Sequence, residues 1–245
     1  MYRHHGKRRN FIHNVCLAVL LSLTAGITGV ISLAHFGVLT TNLTGHAARI
    51  PVQLAEGKFP VTFLWILCFL TGAIACSWLI EFSEYKKRKQ KIGIPLLIEV
   101  ILLLSVSALI DCHFPINQTT IIVMLLLAMG IQNAMVTKIS GAVVRTTHLT
   151  GMITDLGIEL ADLFFKKKKS PSLYRKLVLH SLIISNYILG GALGLFLFNH
   201  FDTDSFLFPA MLLIFTGIYD SAKKRYIIWK RKRKHQHELI IKKAA

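Results

Sequence analysis

Thr40-Thr-Asn-Leu-Thr-Gly45 returns as Thr146-Thr-His-Leu-Thr-Gly151, with only Asn42 exchanged for His148. The two copies follow the first and the fourth long apolar runs of the chain. Membrane segments alternate in direction, so an odd number of crossings between two copies turns one upside down relative to the other. Inverted halves of this kind are a building plan of secondary transporters. The surroundings repeat too: Gly26 and Gly37 match Gly130 and Gly141 at one common offset, slightly shorter than that of the hexapeptide. Each copy ends an apolar run and precedes a stretch of mixed polarity.

Around the motifs the chain has a membrane composition. Hydrophobic residues make up 53% and charged residues 17% of its 245 residues, unlike a soluble domain. The apolar residues fall in long uncharged runs, and about 20 such residues cross the hydrocarbon of a bilayer. The runs predict six transmembrane helices: Ile12–Leu39, Val61–Ile80, Ile94–Ile110, Thr119–Val136, Leu177–Asn199 and Phe206–Tyr219. Helices are favoured over a barrel because the runs show no one-sided alternation. The first run is longer than a crossing needs, which predicts a break or tilt near Gly26 and Gly29. It is also too long for the apolar core of a cleavable signal and reads as an uncleaved anchor. The expected fold is an all-α membrane protein of two inverted three-helix repeats, about residues 12–111 and 119–222. A basic N-terminus, 1–11, and a basic tail, 223–245, flank it.

Charge orients this bundle. All but two of the 29 Lys and Arg residues fall at the N-terminus, between the second and third runs, between the fourth and fifth, or in the tail. Only Arg49 and Lys58 lie in the alternate loops. The positive-inside rule then predicts both termini in the cytoplasm, across the inner membrane. A net charge of +17 normally raises nucleic-acid binding. Here it follows membrane sidedness, so topology and contact with anionic lipids on the cytoplasmic face explain it first, and no nucleic-acid partner is expected. Cys16, Cys68 and Cys76 lie in apolar runs, and no Cys-x-x-Cys spacing suggests a metal site. No cofactor or metal is expected.

The segments after the two motifs have alternative readings, as interfacial helices or as re-entrant hairpins. In the second, Asp155, Glu159 and Asp162 have helical spacing and share one face. Four residues beyond each motif glycine stand Arg49 and Asp155, of opposite sign, suiting two gates on opposite sides. Gly45 and Gly151, with Thr44 and Thr150, let a helix break and expose backbone groups that attract ions, or simply let helices approach closely. Glu99 lies about one turn inside the third run. It faces an interior, where a carboxylic acid suits proton coupling, or it reaches Lys91 and the headgroups. Gln132 and Asn133 in the fourth run, and His180 and Asn186 in the fifth, bind a polar solute or bond across helices. Gly190-Gly191 with Gly194 gives a smooth face for close helix contact.

Gly130-Ile-Gln-Asn-Ala134, Thr146-Thr-His-Leu-Thr-Gly151 and Asp155-Leu-Gly157 together resemble the second signature of the YoaK-like family of bacterial integral membrane proteins. Ala25-Gly26 followed by Leu43-Thr-Gly45 resembles its weaker first signature. The likeness spans the membrane region, leaving out the basic ends. It implies a multi-pass inner-membrane protein and no substrate. Two positions depart from the family pattern: Gly29 stands where an acidic residue is common, and His46 where Asn is common.

No nucleophile elbow, phosphate loop or metalloprotease helix is visible, so an intramembrane enzyme is the least favoured reading. The leading expectation is a secondary transporter or permease for an unidentified small solute, working alone or as a homodimer. A membrane scaffold or assembly partner is the alternative. The candidate solute-binding or gating residues are Thr44, Gly45, Arg49, Glu99, Gln132, Asn133, Thr150, Gly151 and Asp155.

Overall fold

Uncharged apolar runs satisfy their backbone polar groups internally only as helices, and the computed structural model is all-helical among the residues it describes: 11–86, 92–111, 117–146, 148–166, 170–219 and 229. The basic N-terminus, Lys87 to Lys91, Cys112, His113, Thr147, Lys167 to Lys169 and the basic tail apart from Trp229 lie outside them. In chain order the helices are α1 (Phe11–Phe36), α2 (Leu43–Ala55), α3 (Val61–Tyr85), α4 (Gly93–Asp111), α5 (Gln118–Ser140), α6 (Leu149–Phe165) and α7 (Pro171–Phe201). A one-turn 3-10 helix, Asp202–Phe206, leads into α8, residues 207–219.

Among the described residues, five helical stretches are long and apolar enough to cross a membrane: Asn14–Phe36, Val61–Tyr85, Gly93–Asp111, Gln118–Ser140 and Pro171–Tyr219. The last has 49 residues and contains both α7 and α8, which sequence reading divides into separate spans. Of the break or tilt expected in α1, no break is present: Phe11–Phe36 is one helix. Gly26 serves contact instead. A Cβ added there would overlap the carbonyl oxygen of Tyr187 on α7.

Close contact through glycine organises the whole bundle. Gly130 on α5 lies against the carbonyl oxygen of Phe69 on α3, and Gly72 on α3 against that of Leu127 on α5. Gly190 on α7 lies against the carbonyl oxygen of Leu23 on α1. The residue spacing from Gly26 to Gly130 equals that from Leu23 to Leu127, and the spacing from Phe69 to Tyr187 equals that from Gly72 to Gly190. The α1–α7 and α3–α5 seams are therefore one contact pattern made twice.

The seams also fix direction. Gly190 meets Leu23 and Gly194 meets Ile27, so α1 and α7 run parallel. Gly72 lies at Leu127, while Lys138 pairs with Glu81, so α3 and α5 run parallel too. Gln118, at the start of α5, donates to the carbonyl of Phe36, at the end of α1 (3.2 Å), so α1 and α5 run in opposite directions.

The buried core joins Leu17, Leu21 and Ile31 of α1 to Leu125, Met135 and Ile139 of α5, Leu103 of α4 and Ile183 of α7. The outer helices present Leu67, Leu70, Ile74 and Trp78 of α3 and Ile188, Leu189, Leu193 and Phe196 of α7 to the outside. Apolar side chains on the outside of an apolar-cored bundle match contact with lipid rather than water.

Candidate functional site

Both motif copies begin with a turn that only glycine enters without strain. Gly37 ends α1 with φ +68°, and Gly141 ends α5 with φ +66°. A serine then holds each turn: Ser32 Oγ donates to the Val38 carbonyl (2.9 Å), and Ser140 Oγ to the Val144 carbonyl (3.2 Å). Thr40 and Thr146, the first residue of each motif, are fully buried, and neither hydroxyl has a hydrogen-bond partner among the described residues.

The motifs end in helix N-termini. Asn42 caps α2, its Oδ1 accepting from the Gly45 N–H at 3.0 Å. A Cβ at Gly45 would overlap the Asn42 amide, so glycine is what lets this cap close. His148 holds the same place before α6 but makes no side-chain cap bond. Its ring lies where a Cβ at Gly151 would sit. The motif glycines thus accommodate the capping side chains.

The two copies meet. Leu39, Thr41, Asn42, Leu43 and Thr44 of the first, and Arg145, His148, Leu149 and Thr150 around the second, line one cavity of about 440 Å³. Asn133 and Thr137, one turn apart on α5, and Tyr187 of α7 complete it. The Tyr187 hydroxyl and Thr41 Oγ1 share a hydrogen bond of 2.6 Å, which ties α7 to the first motif. Asn133 Oδ1 is buried without a hydrogen-bond partner among the described residues. A volume of this size falls within the range of small-molecule sites, roughly 300–1,000 Å³.

A second cavity of about 320 Å³ lies between α6 and α7. Asp155, Glu159 and Asp162 line it together, as their helical spacing predicts. Across it, His180 Nδ1 lies 3.0 Å from Glu159 Oε2, the two side chains being 12% and 9% exposed. Lys166 pairs with Asp162 at 2.6 Å in a more exposed position.

The nine residues singled out from sequence therefore separate. Thr44, Asn133 and Thr150 line the shared cavity, with Gly45 and Gly151 behind its caps. Asp155 belongs to the second cavity, and Arg49 is exposed on α2. Gln132 is fully buried, its amide unpartnered among the described residues. Glu99 is also fully buried on α4, with neither carboxylate oxygen partnered among the described residues. Lys91, its alternative partner, lies outside them.

Sequence reading missed Arg145, His148 and Tyr187 as members of one site, and the Glu159–His180 pair. One signal was available for the pair: Glu159 and His180 stand at the spacings from Gln53 and Thr62 that the motifs and the glycine seams set. Thr62 Oγ1 donates to Gln53 Oε1 at 2.8 Å.

A family model described as "Protein of unknown function (DUF1275)" matches residues 17–219. The chain is 28% identical over 214 residues to UPF0700 transmembrane protein YoaK of Bacillus subtilis (strain 168), covering 84% of this chain and 93% of that relative. No solved structure matches.

Proposed function

This chain belongs to the DUF1275 family, and we propose that it works as a small secondary transporter of six crossings in two inverted halves. Its solute binds in the cavity between the two Thr-Leu-Thr-Gly motifs. One observation carries the reading: residues of both motif copies line the same cavity, with Asn133 in its wall.

Helix directions support the inversion. Equivalent helices α1 and α5 are antiparallel, while α1 with α7 and α3 with α5 are parallel. This fits three crossings per half if α2 and α6 do not cross. They have 13 and 17 residues, about 20 and 26 Å at 1.5 Å per residue, short of a core about 30 Å thick. In this reading each is a half-helix that starts at the cavity and returns to its own side. Irregular backbone at membrane depth is tolerated where it lines such a cavity. α7 and α8 are separate crossings, joined at Asp202–Phe206. Both termini face the cytoplasm of the inner membrane, and Glu99, unpaired in the interior, is the acid that couples protons to transport.

Cysteines replacing Thr44 and Thr150, one at a time in a cysteine-free chain, test the transporter reading. A membrane-impermeant thiol reagent is applied from each side in turn. Alternating access predicts labelling of each position from both sides. Labelling of both from a single side only would end the transporter reading and leave a membrane scaffold.

A further inference from the structure

The cavity between the motifs has a one-sided charge pattern. Its lining includes Arg145 and His148 and, among the described residues, no Asp or Glu. Arg145 makes no ion pair among the described residues. The second cavity differs: its three carboxylates face Lys166, Lys176 and His180, so its charges are matched within the protein. An unmatched guanidinium in a cavity wall has its fork of donors open to a carboxylate or a similar oxyanion.

A second feature points the same way. Leu149 and Thr150, which line the cavity, are the first two residues of α6. Because the His148 cap makes no side-chain bond, the first-turn N–H groups of α6 are not taken by it. Open N–H groups at a helix start favour negative charge. Asn133, half-buried, adds a buried Oδ1 with no partner among the described residues, an acceptor that calls for a donor on the ligand's body and not for negative charge. Buried polar atoms are ordinarily satisfied, and this one stands in the wall of a cavity large enough to hold a ligand that does so. Leu39, Leu43 and Leu149 give the wall an apolar part, beside the threonines and Tyr187 that share it.

We propose that this cavity binds a small organic anion. The anionic group sits at Arg145 and the start of α6. The apolar body lies against Leu39, Leu43 and Leu149, and Asn133 with the Thr41–Tyr187 pair fixes its orientation. The inference rests on the transporter reading for what becomes of the anion, though not for its binding.

Probes of matched shape and different charge provide the test. The full chain, in lipid nanodiscs with its native cysteines replaced, carries Thr44→Cys, and the rate of maleimide alkylation is read. Benzoate is expected to slow the reaction several-fold, while benzyl alcohol and benzylamine slow it little. Arg145→Gln is expected to abolish the benzoate effect, and Arg145→Lys to keep part of it, because the charge survives without the fork. Arg145 is exposed, so these variants leave the fold intact; unchanged alkylation without probe and a monodisperse particle check this. Equal protection by all three probes, stronger protection by benzylamine, or none by any probe would each overturn the proposal. The two-sided labelling experiment separates the failures. Benzoate protection with one-sided labelling keeps the anion site and removes transport. Two-sided labelling without benzoate protection keeps transport and removes the anion.

Discussion

In the first half of the chain, Gln53 of α2 and Thr62 of α3 are joined by a neutral hydrogen bond of 2.8 Å. In the second half, the corresponding join between α6 and α7 is Glu159 with His180, at 3.0 Å and largely buried. The same substitution of chemistry on a shared frame recurs elsewhere. Asn42 caps α2 with a hydrogen bond, whereas His148 covers the start of α6 with its ring. Tyr187 reaches Thr41 with a hydroxyl, and its counterpart Phe69 has none to offer. Glycine seams set where helices lie, and they are common to both halves. Groups that bond or titrate differ between the two regions, and changing them leaves the backbone contacts untouched.

The seams carry the largest expected effects. Gly26→Leu and Gly130→Leu each drive a side chain into a backbone carbonyl that cannot step aside. Overpacking of this kind costs about 3 kcal/mol or more. Both variants are expected to lose the monodisperse peak on size-exclusion chromatography in detergent. Gly157→Leu, where an added Cβ meets nothing within 4 Å, is expected to keep it. Tolerance of one seam variant and failure of the other would break the equivalence of the halves.

The α2–α3 and α6–α7 joins come next. Glu159→Ala leaves the His180 ring nitrogen without its partner in a largely buried place, at a cost of about 2 kcal/mol. Gln53→Ala removes a neutral bond, worth about 1 kcal/mol. Denaturation midpoints in detergent order the two. Rebuilding the neutral join in the second half, as Glu159→Gln with His180→Thr, is expected to recover most of the loss. If Gln53→Ala proves the costlier change, the Glu159–His180 join is not what distinguishes the second half. The caps are a weaker contrast of the same sort: Asn42→Ala is expected to cost about 1 kcal/mol, and His148→Ala less, since only the first loses a capping bond.

Much of the frame could be read from sequence because it depends on local composition. Apolar runs place the helices, and the repeated hexapeptide marks where each half starts its short helix. Gly190, Gly191 and Gly194 were legible as a contact face, and a small-residue face does carry the α1–α7 seam. Of the break or tilt read near Gly26 and Gly29, the helix shows no break, since a glycine that admits a neighbour's carbonyl looks in sequence like one that weakens its own helix. Thr44, Asn133 and Thr150 were found by repetition and polarity. Arg145 and Tyr187 were not: one sits on the connection leading into the second motif and the other on a helix paired with the opposite half. Only the three-dimensional pairing of α1 with α7 brings Tyr187 to Thr41. The second cavity shows the converse, where helical spacing alone grouped Asp155, Glu159 and Asp162 correctly.

The smallest expected effect separates the halves by pH. His46, on α2, is buried against Trp65 with ring centroids 5.2 Å apart, and its Nε2 is unpartnered among the described residues. Its counterpart after the second motif is Met152, also buried and unable to titrate. Burial lowers the His46 pKa from its ordinary 6.5; a hydrogen bond with the Leu39 backbone opposes this, and nearby Arg49 adds to it. A base whose folded pKa is depressed takes its proton more readily in the unfolded chain. Its contribution to stability is whole above about pH 6.5 and is lost as pH falls toward the lower folded value. His46→Met, which copies the second half, removes that proton from the balance. As pH falls from about 7.5 to about 5, the thermal midpoint of the unaltered protein should therefore drop relative to that of the variant, which gains ground toward the acid end. The slope difference should be no more than about 1.4 kcal/mol per pH unit, the limit for one proton. Parallel curves would mean that His46 takes its proton equally well in the folded chain, and that the first half carries no acid-sensitive group behind its motif.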